Sequence, residues 1–145
     1  LIHKAMLVNS FAKPTNKWKW QRKWLNKLID LNLDKKLLIE GMIHWGYSEN
    51  FMEDSHKIQI AVQQALKNPY PQPLSGLNGQ LHALNHFDLR SKLHQIQTQL
   101  LVVAGDEDIG FPLFCSEELV ENIPNAELVI FQGQAHMIIH ECKDQ

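Results

Sequence analysis

Little in the 145 residues ties the chain to a special environment. Only two cysteines are present, Cys115 and Cys142. They are too few for a disulfide framework and are read as free thiols of a reducing compartment. No apolar run approaches the roughly 20 residues needed to span a bilayer, and the N-terminal stretch lacks a signal-peptide pattern, so a cytoplasmic location is expected. A net charge of -2 and a pI near 6.5 exclude a bulk electrostatic pull toward nucleic acid or membrane. Internal repeats and low-complexity tracts are also missing. What remains is a hydrophobic content of 44%, enough for one sizeable core.

The informative stretch is the last third. Leu100-Leu101-Val102-Val103-Ala104 is a continuous apolar run closed by Gly105-Asp106, the pattern of a strand buried on both faces of a parallel sheet. Leu128-Val129-Ile130-Phe131 repeats the pattern before Gly133. Between them Pro112 is placed to be the first residue of a helix, Leu113, Leu119, Val120 and Ile123 supply its apolar stripe, and Pro124-Asn125 ends it. This is one βαβ unit, whose parallel strands direct their carboxyl ends to the same sheet edge. Neighbouring strands lie about 4.8 Å apart, so Asp108 beyond the first and His136 beyond the second are expected to meet. An acid that orients a histidine is two thirds of a nucleophilic triad.

Ahead of this unit, residues 4 to 9 read as a short buried strand that exits at Asn9-Ser10 and Lys13-Pro14. From Asn16 the pattern turns helical. Trp18, Trp20, Trp24, Leu25, Leu28 and Ile29 are expected broadly on one side, with Lys17, Lys19, Arg22, Lys23 and Lys27 on the solvent side. Further helices are predicted from Lys36 to Trp45, from Glu53 to Lys67, and from Gly76 to Phe87. An irregular segment from Asp88 then leads into the strand at Leu100. The first residues fall almost directly into a strand, and residues 140 to 145 read as the start of a helix, so both ends look cut.

This order of elements, with its two turns, resembles the C-terminal half of an α/β-hydrolase fold protein. The acid turn of that family has the form Gly-x-x-Asp, here Gly105-Asp106-Glu107-Asp108. Its histidine turn has the form Gly-x-[Gly/Ala]-His, here Gly133-Gln134-Ala135-His136. Pro124-Asn125-Ala126-Glu127-Leu128 fits the family's lead-in to the last strand, and His86-Phe87-Asp88 through Leu100 fits the approach to the acid strand. The resemblance implies an α/β fold of parallel strands with crossover helices. Residues 1–13 would form a core strand and exit loop, 14–75 a helical lid, and 76–145 the core bearing both turns. It also implies His136 as general base and acid and Asp108 as its orienter, with Asp106 and Glu107 as competing acids.

The family's nucleophile sits in a Gly-x-Ser-x-Gly elbow ahead of the acid, and no serine of this chain has glycines at both flanking positions. The nucleophile, whether Ser, Cys or Asp, and the oxyanion hole are therefore expected from an N-terminal half of the same fold. The implied parent is a serine-type hydrolase of carboxylic esters, thioesters or lactones with an apolar acyl or alkyl part, working through an acyl-enzyme and without a cofactor. A carbon–carbon bond hydrolase, an acyltransferase, and a non-catalytic ligand-binding or receptor protein of the same fold are the alternatives.

Two further patterns carry less. His82 and His86 have the i, i+4 spacing of metal ligands, but Ala83 stands where the metalloprotease motif has Glu and no third ligand is indicated, so no metal is expected; His136 and His140 are judged alike. The basic segment Lys17, Lys19, Arg22, Lys23 and Lys27 reads first as the wet side of a lid helix. An acidic carrier domain or an anionic lipid surface are its other possible partners. It is too short, in a slightly acidic chain, for nucleic acid. Cys115 is assigned to packing.

Overall fold

A computed structural model of the chain describes residues 2–31 and 33–142. Three parallel strands form one sheet in the order β1 (Lys4–Val8), β2 (Gln99–Gly105), β3 (Ala126–Phe131). The helices in chain order are α1 (Asn16–Asp30), α2 (Lys35–Ile43), α3 (Glu49–Met52), α4 (Ser55–Leu66), α5 (Leu74–Asn85), α6 (Leu113–Asn122) and α7 (Ile138–Glu141), with a 3-10 turn over Arg90–Gln95. The architecture is thus α/β, with parallel strands and the crossover helix α6 between β2 and β3, as the sequence predicts. Helices fill the long connection from β1 to β2. No described helix is long and apolar enough to cross a membrane.

Capping explains where these helices begin. The side chains of Thr15, Asp34, Ser48 and Asp54 accept backbone N–H bonds from Trp18, Leu37, Phe51 and both His56 and Lys57. The helix expected from Glu53 to Lys67 is α4, begun by the Asp54 cap, and the one-turn α3 ahead of it, begun by Ser48, is an element the periodicity did not predict. Pro112 precedes α6 rather than opening it: its backbone is extended, with ψ 154°, and its carbonyl accepts the Cys115 N–H at 2.8 Å. The one-turn α7 covers part of the helix predicted at the end of the chain; residues 143–145 lie outside the described residues.

The core lies on one face of the sheet. Register pairs Ala5 with Leu100 and Leu100 with Ala126, then Leu7 with Val102 and Val102 with Leu128. These side chains therefore share a face, which α6 covers through Leu119 and Ile123, with Ala12 and Leu93 completing the cluster. Val102 at its centre is fully buried. Burying side chains of this size contributes about 1.5–3 kcal/mol each. The opposite face is barer, with Met6 59% and Val129 41% exposed. The expectation that the last strand is buried on both faces is therefore corrected: β3 is an edge strand, covered by α6 on one side. Arg90 grips Asp88 through Nε and a second guanidinium nitrogen at 2.9 and 2.7 Å, and Lys13 reaches the same carboxylate at 3.1 Å. This fastens the approach to β2 against the loop leaving β1.

Helix α1 corrects a second expectation. At 100° per residue, Trp20 is turned about 200° from Trp18. Trp18 and Leu25 are buried, whereas Trp20 is 69% and Trp24 45% exposed. Trp24 leans on Trp45, with ring centroids 5.7 Å apart.

Candidate active site

The carboxyl ends of the three strands bring three chain segments together. Asp108 follows β2 and His136 follows β3, and Nδ1 of His136 lies 2.8 Å from Asp108 Oδ2. The second carboxylate oxygen accepts the Gly110 and Phe111 N–H groups, each at 2.8 Å. A side chain with no exposed surface is thereby satisfied at both oxygens, which is what permits a carboxylate to be buried. With Asp108 an acceptor only, the shared proton belongs on Nδ1, leaving Nε2 with its lone pair. Nε2 has no hydrogen-bond partner among the described residues, and the half-buried imidazole lines a cavity.

The neighbouring acids serve other partners. Asp106 Oδ1 accepts the Gly133 N–H at 2.7 Å, fixing the entry to the histidine turn. Glu107 Oε2 accepts the Glu49 N–H at 2.8 Å, tying α3 to the acid turn. Of the three acids, Asp108 is the one whose carboxylate meets the imidazole.

Two glycines make this approach possible. A Cβ on Gly105 would stand 2.3 Å from the Gln134 carbonyl oxygen, so no other residue fits where the histidine loop crosses the end of β2. Gly133 has φ +66°, a left-handed conformation that a glycine adopts without cost.

Asn9 is a residue whose part at the site the sequence reading did not anticipate. It is buried, left-handed at φ 45°, and sits where β1 ends. Its amide nitrogen donates to the carbonyls of Ala135 at 3.2 Å and His136 at 2.7 Å, while its oxygen accepts the Gly105 N–H at 3.0 Å. One side chain thus links the ends of β1 and β2 to the backbone of the histidine itself. Its signal in the sequence was an Asn closing an apolar strand, which reads equally as a turn residue.

The cavity beside His136 has a volume of about 270 Å³. Ile39, Met42, Ile43 and Ala61 from α2 and α4 form its apolar side, and Phe111 borders it next to the histidine, ring centroids 5.2 Å apart. Phe111 in turn stacks on Phe11 at 4.6 Å. Arg22 also lines it, half-buried and 5.3 Å from the centroid of the Trp18 ring. The expected solvent-facing grouping of the five basic residues is therefore corrected: Lys17, Lys23 and Lys27 are exposed, Lys19 is half-buried, and Arg22 turns inward to the cavity. Burial lowers the Arg22 guanidinium pKa below its ordinary value. The turn between α2 and α3 is hooked to the same region. Met137 N–H donates to the Gly46 carbonyl at 2.7 Å, and the backbone N–H and hydroxyl of the buried Ser48 both donate to the Glu141 carboxylate.

Elsewhere, the His82 and His86 rings lie 5.1 Å apart, and among the described residues no group of three or more His, Cys, Asp or Glu side chains is arranged to hold a metal ion. Cys115 and Cys142 are free. Burial, with help from Glu118 and Asp108, pushes the Cys115 thiol up to about 11, the opposite of what an attacking thiolate needs.

No protein-family model matches the chain. Among curated proteins it is 25% identical, over 136 residues, to RutD of Pseudomonas savastanoi pv. phaseolicola, whose name provisionally assigns it carbamate hydrolysis. That match covers 94% of this chain and 52% of the relative. It is 25% identical over 84 residues to the pimeloyl-[acyl-carrier protein] methyl ester esterase of Nitrosomonas europaea, covering 58% of this chain and 33% of that one. The chain thus spans about half the length of the first of these relatives. Among solved structures, MGS-M2, an α/β-hydrolase enzyme from a Medee basin deep-sea metagenome library, superposes with a TM-score of 0.80 at 23% identity, over 98% of this chain and 52% of that one.

Proposed function

From the premise that the chain has the fold of part of an α/β hydrolase, we propose that it supplies the proton-handling half of a hydrolase that cleaves carboxylic ester-like bonds. The observation that carries this reading is the Asp108–His136 pair, 2.8 Å apart, with the far side of the imidazole free beside an apolar cavity. His136 acts first as base toward a nucleophile and then as acid toward the leaving group, and Asp108 holds it in the useful tautomer and stabilises the imidazolium. The nucleophile and oxyanion donors come from polypeptide outside these 145 residues, since no Gly-x-Ser-x-Gly occurs within them. Helices α1 to α4 form a lid over the acyl pocket. Both relatives' names support a reaction at a carbonyl carbon, one a carbamate and one a methyl ester.

The test uses the full-length gene product with a panel of short-chain esters, thioesters and carbamates. Turnover is expected in the full-length protein, with a loss of about 10⁴-fold in kcat on His136→Ala, and none from the 145 residues alone. Burst hydrolysis by the 145-residue chain, or full activity in His136→Ala, would sink the proposal. Ligand binding without turnover in the full-length wild type would instead identify a binding protein.

A further inference from the structure

Arg22 has no ion-pair partner among the described residues, and no Asp or Glu lines the cavity it faces. Its guanidinium packs on the buried Trp18 ring, and Ile39, Met42 and Ile43 form much of the wall around it. A half-buried cation in such surroundings has given up part of its water without gaining a counter-ion, a cost that a bound anion would offset. His136 lines the same cavity, so a molecule presenting a carbonyl to the histidine also lies within the enclosure that Arg22 enters.

The geometry points to Arg22 as the receptor for a carboxylate at the end of the substrate's acyl chain remote from the scissile carbonyl, which makes short monoesters of dicarboxylic acids the preferred substrates. This rests on the hydrolase reading above. A planar guanidinium matches a carboxylate with two parallel N–H···O bonds. The charge count favours a carboxylate over a phosphate. One cation neutralises one carboxylate, whereas a phosphate would leave surplus negative charge against apolar walls. The cavity, at about 270 Å³, lies near the small end of ligand pockets and therefore favours a short chain.

A matched pair of substrates tests this in the full-length protein: monomethyl glutarate and dimethyl glutarate, equal in chain length and different by one charge. The ratio of their kcat/KM values is expected to favour the monoester and to fall about 10- to 100-fold in Arg22→Gln. Arg22→Lys, which keeps the charge but loses the fork, should recover part of the ratio. Equal losses on both esters, or a ratio unchanged by Arg22→Gln, would overturn the inference. A second arm does not depend on turnover. Equilibrium binding of monomethyl glutarate to the His136→Ala protein should weaken by a similar factor when Arg22→Gln is added, and unchanged affinity would overturn the inference. If the wild type cleaves no ester at all, the hydrolase reading falls while this binding arm still decides the role of Arg22.

Discussion

Replacing Asn9 tests how the histidine loop is held. Its side chain makes three hydrogen bonds, to Ala135, His136 and Gly105, at a buried position. At about 1 kcal/mol each their loss destabilises by about 3 kcal/mol. Alanine at φ 45° adds about 1 kcal/mol for the left-handed backbone. Asn9→Ala is therefore expected to cost about 4 kcal/mol, and Asn9→Gly about 3 because it removes the strain but not the lost bonds. Asn9→Asp keeps the acceptor for Gly105 and turns an oxygen toward two carbonyls, so it should be no milder than alanine. Urea unfolding of the full-length protein reads the stability change from the midpoint at constant slope. Nitrogen NMR of labelled histidine reads the consequence for His136, whose Nδ1 should lose its protonated signature when the loop relaxes from Asp108. A stability change below about 1 kcal/mol, with the His136 ring nitrogens unmoved, would refute the reasoning and reduce Asn9 to an ordinary turn residue.

Three further outcomes follow from the same geometry. Asp108→Asn should fold normally, because an amide oxygen can still accept from Gly110 and Phe111, but its NH₂ would face Nδ1 and impose the wrong tautomer; kcat is expected to fall about 10⁴-fold with the urea midpoint nearly unchanged. Gly105→Ala should destabilise the full-length protein by several kcal/mol, about 3 or more, and reduce ester turnover, since its Cβ would meet the Gln134 carbonyl at 2.3 Å; a wild-type midpoint and rate would show that the loop can yield. Cys115, with its thiol raised to about 11, should resist thiol reagents at pH 8 until the protein is unfolded. Because its folded value lies above the unfolded one of about 8.5, its contribution is intact at neutral pH and is lost as pH rises toward about 11, so the alkaline fall in stability should be smaller in Cys115→Ala.

The α/β arrangement and the meeting of Asp108 with His136 were legible because they rest on strong local signals. Apolar runs such as Leu100–Ala104 define strands, and Gly105 and Gly133 mark the turns that must pass close to another chain segment or turn left-handed. Periodicity was a poorer guide on α1. Three tryptophans and two leucines within eleven residues look like one stripe, but Trp20 falls on the side opposite Trp18 and remains in water. The inward turn of Arg22 was illegible for a related reason: a cation inside a basic run reads as solvent-facing unless the neighbouring helices α2 and α4, which build the cavity, are placed first. Asn9 is invisible to any local pattern, because its partners are separated from it by 96 to 127 positions in the chain. The exposure of β3 depends on what packs beside it, a property of the assembled sheet rather than of Leu128-Val129-Ile130-Phe131.

The hooks at residues 46–49 limit how freely the helical segment can be treated as an interchangeable part. Gly46, Ser48 and Glu49 bond respectively to Met137, Glu141 and Glu107, so this turn is a hinge pin shared with the two loops that hold Asp108 and His136. Transplanting helices α1 to α4 from a relative to change specificity would remove that pin along with the pocket walls. A graft that leaves residues 46–49 in place, and exchanges α1, α2 and α4 around them, is expected to keep the Asp108–His136 distance while replacing the walls of the cavity.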